Sequence, residues 1–433
     1  VILTVSANNA DTLWWGACCA GLGHGVIEAV INPVCSSIYT KEKSTKLNIL
    51  HAAWPAGMVI GSLFILPLGI ADSSFGVSVV AGSVGVDWRT HALWMFIPIV
   101  IYALMFFKCS FPVDERVRAN VSYREMLKQV GFLGAIVAGT LLFYEIYRLA
   151  SDSEPSNLLW ISLGFGTVFA AAFGLYTKSI GKPLFFILCL LMIPLAITEL
   201  GTDAWIKKLM TPQMGDYAGW AIAFSAFIMM GFRFFAGSLL SRISPPTVLT
   251  ISAIFSMLGL LILSGVSGNA VFLAFVLYAI GQTFYWPTVL GLVAERFPKG
   301  GALTLNTVSA IGMLSVGIVG TPILGAFYDS QLSGQVQKVS PAIYQIAQKE
   351  KNFFSTTYIG IDEGKAKQAA ENVGLSKEFA EATDISGRGA LKQTALTFPL
   401  IMFICFGFIS LYFRLRGGYK PVNINDDVNA IQS

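Results

Sequence analysis

Long apolar runs separated by short polar breaks set the character of this chain. Crossing a bilayer takes about 20 consecutive, mostly apolar residues. Runs of that kind recur near 13–36, 49–71, 90–107, 131–150, 157–177, 183–206, 217–240, 246–265, 270–293, 302–327 and 395–414, which predicts eleven membrane-spanning helices. Before the first, Val1 to Ala7 form a short apolar tail, and Asn8, Asn9 and Asp11 read as a turn. The largest polar stretch is 329–394, with helix-like patterning in 342–351 and 363–382. About 65 residues is a marginal length for an independent core, so this stretch is expected to be an external helical flap. The Gly- and Asp-rich tail after Arg416 is expected to be disordered.

Composition agrees. The chain has 433 residues, 55% of them hydrophobic and 12% charged, and a mean hydropathy of +0.66. Those values exclude the usual soluble classes. The expected class is an all-α polytopic membrane helix bundle. A net charge of +4 matters less than where the bases fall. Lys41, Lys43, Lys46, Lys108, Arg116, Arg118, Arg124, Lys128, Lys178, Lys182, Arg233, Arg242, Arg296, Lys299, Arg414, Arg416 and Lys420 fall in alternate short connections, which makes those connections cytoplasmic. The opposite connections carry Arg89, Arg148, Lys207 and Lys208, plus the long 329–394 loop, whose length exempts it from the rule. The charged run from Asp114 to Lys128 reads as a solvated interfacial helix, with no nucleic-acid partner. The six Cys show neither CxxC nor Cys/His ligand spacing, so no disulfide framework, metal site or cofactor is expected. No signal peptide or initiator Met precedes Val1, and a fragment of a longer chain is expected.

Several polar groups sit inside the apolar runs. His24, Glu28 and Asn32 recur at i, i+4 and i+8, one stripe of a helix. Placing an acid at mid-bilayer costs roughly 2.5 kcal/mol or more, so such a residue faces water, a substrate or a partner. Glu28 is therefore either a substrate or proton site or the cap of a buried hydrogen-bond network. Glu199 and Asp203 are one turn apart, beside Thr198 and Thr202. Two neighbouring carboxylates cannot both ionise cheaply, which suits proton binding. The alternative for Asp203 is ordinary interfacial chemistry next to Trp205, Lys207 and Lys208. A third stripe, Tyr278, Gln282 and Trp286, offers an amide between aromatic faces, a chemistry that can hold a sugar or simply pack. Asn306, with Thr307 and Ser309, adds hydrogen-bonding groups that could instead join helices. Gly21, Gly25, Gly57, Gly61, Gly312, Gly317, Gly320 and Gly325 are expected to let helices approach and slide. Pro33, Pro55, Pro194 and Pro287 can free backbone groups where a cavity is lined. No Walker loop, GxSxG elbow or HExxH is present, and no enzymatic activity is expected.

The run 23–57, GHGVIEAVINPVCSSIYTKEKSTKLNILHAAWPAG, resembles the fourth and fifth helices of the fucose, galactose and glucose proton symporters of the major facilitator superfamily. Asn32-Pro33 and Lys46-Leu47-Asn48 are the matching residues. ELGTDAWI resembles that group's seventh helix, and GFRFFAGSLLSRISPP resembles the superfamily's Gly and Arg turn after helix eight. In this register helices one, two and most of three precede Val1, and 131–150 with 157–177 is an inserted pair.

The resemblance implies a major facilitator bundle with two extra central helices. Residues 1–107 would be the remainder of the amino-terminal bundle and 108–182 a cytoplasmic linker with the inserted pair. Residues 183–414 would be the carboxy-terminal six-helix bundle with its external loop, and 415–433 a cytoplasmic tail. It implies a monomeric plasma-membrane symporter of a sugar and a proton, with Glu28 carrying the proton and touching sugar, and Asn32 touching sugar. A transporter of another small solute, or a channel or receptor-like protein, is the alternative.

Overall fold

The computed structural model describes residues 1–68, 87–151, 155, 157–214, 218–268, 270–354 and 356–424. Backbone groups in lipid must pair within their own segment, which favours helices for apolar runs of this length. Among the described residues, ten helices are long and apolar enough to cross a membrane. They correspond to ten of the eleven expected segments, and the remaining one, 217–240, gives the shorter apolar helix Gly219–Phe234. The ends of two expected spans, 69–71 and residue 217, lie outside the described residues, as does the side chain of Lys207. The protein is an all-helical, multi-pass membrane bundle, and the one sheet among the described residues is a two-stranded hairpin.

In the carboxy-terminal part, Pro245–Leu263 packs between Ala270–Thr283 and Ser376–Leu415. Leu188, Met192 and Leu195 of Pro183–Ala196 meet Leu249, Val289, Ile311 and Phe406 in the main core. The amino-terminal helices dock onto this body along three seams. Ala10–Ile38 lies on Gly301–Ser315, Lys43–His51 on Tyr285–Arg296, and Ala53–Leu68 on Ala218–Phe234. The second seam is the tightest: a Cβ on Gly291 would fall 2.4 Å from Ser44 Oγ.

The helix pair Tyr123–Ala150 and Leu158–Thr177 packs chiefly on itself, and its first member also rests on Pro183–Ala196 and Gly301–Ser315. That first helix is broken at Gly131 (φ 54°, ψ −162°), a conformation open essentially to glycine alone. The broken turn leaves Phe132 and Leu133 N–H free to donate to Ser179 and Ile180 carbonyls at 3.1 and 2.9 Å, while Lys182 N–H donates to Gln129 O at 3.3 Å.

Four expectations need correction. Segment 329–394 is not a separate helical flap, because the flanking spans extend into it as Thr321–Val339 and Ser376–Leu415. Between them lie the helix Pro341–Ala347, an antiparallel hairpin of Gln348–Phe353 and Thr356–Ile361, and the helix Glu363–Asn372. The helical pattern read over 342–351 therefore ends at Ala347, and that over 363–382 is divided at Gly374 (φ 76°). Second, Asp114 to Lys128 is not one interfacial helix. Glu115–Arg118 makes one turn, Asn120 is left-handed (φ 54°), and the bases after it open the helix Tyr123–Ala150. Third, the start of the tail is held in place: Tyr419 donates to Glu295 Oε2 at 2.6 Å, and Val422 N–H to Glu295 O at 2.8 Å. Residues 425–433 of that tail lie outside the described residues. Fourth, the glycines divide. A Cβ on Gly21, Gly25, Gly57, Gly61 or Gly317 would meet nothing within 4 Å, whereas one on Gly312 or Gly320 would press on Trp286 or Ile197.

Candidate functional site

The seams converge on proline-containing helices in mid-bundle, two of them interrupted, at Ala52 and at Phe284, and one, Ala10–Ile38, continuous through Pro33. Proline carries no N–H, so the carbonyl four residues before it loses its helical donor. Pro55 frees His51 O, Pro287 frees Thr283 O and Pro33 frees Ala29 O. Side chains supply the missing donors. Arg233 Nε donates to Thr283 O at 2.7 Å and its Nη1 to His51 O at 3.0 Å. Asn306 Nδ2 donates to Ala29 O at 3.2 Å. Two of these three bonds, those to His51 and Ala29, run from the carboxy-terminal helices to the amino-terminal ones.

The Arg233 charge is balanced by Glu199, whose Oε1 accepts from Nη2 at 2.7 Å. Arg233 is 1% exposed and Glu199 3%. Glu199 sits on a π-turn, Ile197–Gly201, a local widening common at functional positions. Its other oxygen accepts the backbone N–H of Trp286 at 3.2 Å. That N–H belongs to the first turn of Tyr285–Arg296, where helix donors have no partner of their own and negative charge is favoured. The Glu199–Arg233 pair thus splints the break around Phe284, acid on the new helix start and base on the old helix end.

Glu28 is held differently. Its Oε1 accepts from Trp286 Nε1 at 3.2 Å, across the seam, and from Asn32 Nδ2 at 3.4 Å. His24 Nε2 lies 3.4 Å from Oε2, and the Glu28 side chain keeps 19% exposure. Asn32 Oδ1 is 2.9 Å from His51 Nε2. The expected stripe is therefore a real line of contacts, extended by His51 on the next helix. His24, Glu28 and His51, together with Trp54, Glu199, Arg233 and Trp286, surround a cavity of about 30 Å³, room for a water molecule or two; Asn32 lies outside its lining.

The Tyr278, Gln282 and Trp286 stripe does not stay together, because the helix breaks at Phe284 (φ −98°, ψ 0°). Only Trp286 reaches the cavity. Tyr278 and Gln282 are fully buried in the carboxy-terminal body. The Tyr278 hydroxyl lies 2.8 Å from Thr198 O and 3.2 Å from Asp203 Oδ1, and Gln282 Nε2 donates to Ser225 Oγ at 2.8 Å. Asp203 thus turns inward to Tyr278, while Lys208 pairs with Glu363 at 2.9 Å. Glu199 and Asp203, one turn apart, take separate partners. Asn306 lies outside the cavity as a joint between helices.

Arg233 and His51 escaped the sequence reading. Arg233 is a buried junction and not the loop base its charge suggests, and so is Lys43, 4% exposed and bonded to Glu115 Oε2 and Ala294 O at 2.5 and 3.3 Å. Two signals were available for Arg233: its place inside an apolar run, and prolines that each leave a carbonyl in need of a donor. No protein-family model and no curated protein matches this chain.

Proposed function

We propose that the protein is a secondary transporter of the major facilitator type that moves a sugar together with a proton by alternating access. The observation that carries this reading is the bond between Glu28 and the Trp286 indole. It joins an acid without a guanidinium partner to an aromatic platform on the opposite side of the seam. Protonating Glu28 from outside removes the charge that strengthens its bonds to Trp286, Asn32 and His24. A sugar hydroxyl can then take the place of the indole N–H, with the Trp286 face against the apolar side of the ring. At about 30 Å³ the cavity is far below the roughly 300–1,000 Å³ of ligand pockets. This conformation therefore corresponds to a closed state, and binding requires the seam to part.

In this proposal the protein is a monomer of the plasma membrane, takes no cofactor and performs no chemical conversion. An uptake panel of sugars on vesicles carrying the full-length protein, with and without a protonophore, tests it. Accumulation above the outside concentration, abolished by the protonophore, is expected. Equilibration that the protonophore leaves unchanged indicates a channel and overturns the proposal.

A further inference from the structure

At the end of the bundle that carries the basic connections, a groove of about 630 Å³ opens between the helix Tyr123–Ala150, the start of Pro183–Ala196 and the last turns of Ser376–Leu415. Its inner walls are apolar and turned away from the core. Ile187 is 41% exposed, Phe408 67% and Tyr412 47%, and these side chains lie on membrane-spanning helices. The opposite end of the groove is cationic. Lys182 and Arg296 line it, with Lys299 beside them.

Lys182 and Arg296 are anchored at the backbone and at the side chain respectively, and neither is paired with an acid among the described residues. Lys182 follows Gly181 (φ 96°), and its own N–H is held by Gln129 O at 3.3 Å. A Cβ on Gly181 would lie 2.3 Å from Val130 O, so the linker sits hard against the broken helix Tyr123–Ala150. Arg296 gives one N–H to Lys420 O at 2.7 Å and lies 5.1 Å from the centre of the Phe413 ring. Its Nε–H is buried with no acceptor. Neither Lys182 nor Arg296 meets a carboxylate among the described residues. The adjacent Glu295 spends its oxygens on Ser44 N–H and Tyr419 O–H. A groove that is apolar within the membrane-spanning turns and cationic at its mouth is complementary to acyl chains below a negative headgroup, and basic pockets between spanning helices bind such headgroups.

We infer that this groove binds one anionic phospholipid, its phosphate on Lys182 and Arg296 and an acyl chain along Ile187, Phe408 and Tyr412. Gln129 of the helix Tyr123–Ala150 adds to the wall, and the linker after Leu158–Thr177 presents Lys182.

The test uses the full-length protein in phosphatidylcholine vesicles, with trace spin-labelled phosphatidylglycerol or spin-labelled phosphatidylcholine, and reads the motionally restricted fraction of each. Phosphatidylglycerol is expected to be preferred, by about fivefold for each of the two cations. Lys182→Gln, a change at an exposed side chain, should lose about one such factor. Lys182→Gln with Arg296→Gln should abolish the preference, and Ile187→Trp, which fills the apolar part, should lower binding of both lipids. Lys178→Gln, a nearby base outside the groove, should leave the preference intact. The inference fails if the wild type shows no preference, or if Lys178→Gln matches Lys182→Gln, since the effect is then general surface charge. It also fails if inorganic phosphate at constant ionic strength erases the preference, since the site then takes a free anion. A preference that survives the double substitution overturns it as well.

Discussion

Glu28 and Glu199 are both acids in the middle of membrane-spanning helices, and they sit on opposite sides of one cavity. Their surroundings differ. Glu199 is 3% exposed, bonded to a guanidinium and placed at a helix start. Glu28 keeps 19% side-chain exposure, is bonded to an indole and an amide, and has the His24 imidazole 3.4 Å away. The first environment fixes a charge in place because both halves of a broken helix depend on it. The second leaves the acid partly exposed and bonded to an indole across the seam and to an amide of its own helix. A mid-membrane acid is thus not one kind of site, and its partners set how firmly it is tied into the fold.

The largest effect that sharpens this contrast should come from Arg233. Arg233→Gln leaves Glu199 buried without its countercharge and should destabilise the protein by about 3–5 kcal/mol, read as loss of folded protein in denaturant titrations. The double variant Glu199→Gln, Arg233→Gln removes both charges. It should recover part of that loss, the remainder being the carbonyl bonds to His51 and Thr283, about 1 kcal/mol each. An unrecovered double variant would mean that the charge pair contributes little and that packing around Arg233 dominates. Asn306→Ala should come next, at about 1 kcal/mol, because Ala29 O then loses the donor that stands in for the Pro33 N–H. Glu28→Gln should be the mildest, below about 1 kcal/mol, since the amide oxygen still accepts from the Trp286 indole. If Glu28→Gln unfolds the protein as readily as Arg233→Gln, the two acids are the same kind of site after all.

Much of this was legible in the sequence, for definite reasons. Apolar run length located the spans because a bilayer imposes one length scale on every crossing. The His24, Glu28 and Asn32 line followed from helical periodicity, which holds because the helix Ala10–Ile38 runs unbroken through that stretch. The same periodicity failed at Tyr278, Gln282 and Trp286, where Phe284 interrupts the helix and turns the later residues to another face. The pairing of Glu199 with Arg233 joins positions 34 residues apart, and no local pattern encodes such a contact. The hairpin was missed because Lys349, Glu350 and Lys351 supply the polar content of an exposed helix as readily as that of an exposed strand. What distinguishes it is the Asp329 carboxylate, which accepts from Lys351 Nζ and the Tyr358 hydroxyl at 2.7 and 2.9 Å.

The most direct test of the account is Glu28→Gln in the full-length protein, reconstituted in vesicles. Two quantities are compared: uphill uptake driven by a pH gradient, and exchange of labelled for unlabelled substrate without one. The account expects uphill uptake to be lost while exchange persists, because the amide keeps the shape and the bond to Trp286 but cannot carry a proton. Normal accumulation by Glu28→Gln, with unchanged pH dependence, would contradict it and leave Glu28 a structural acid.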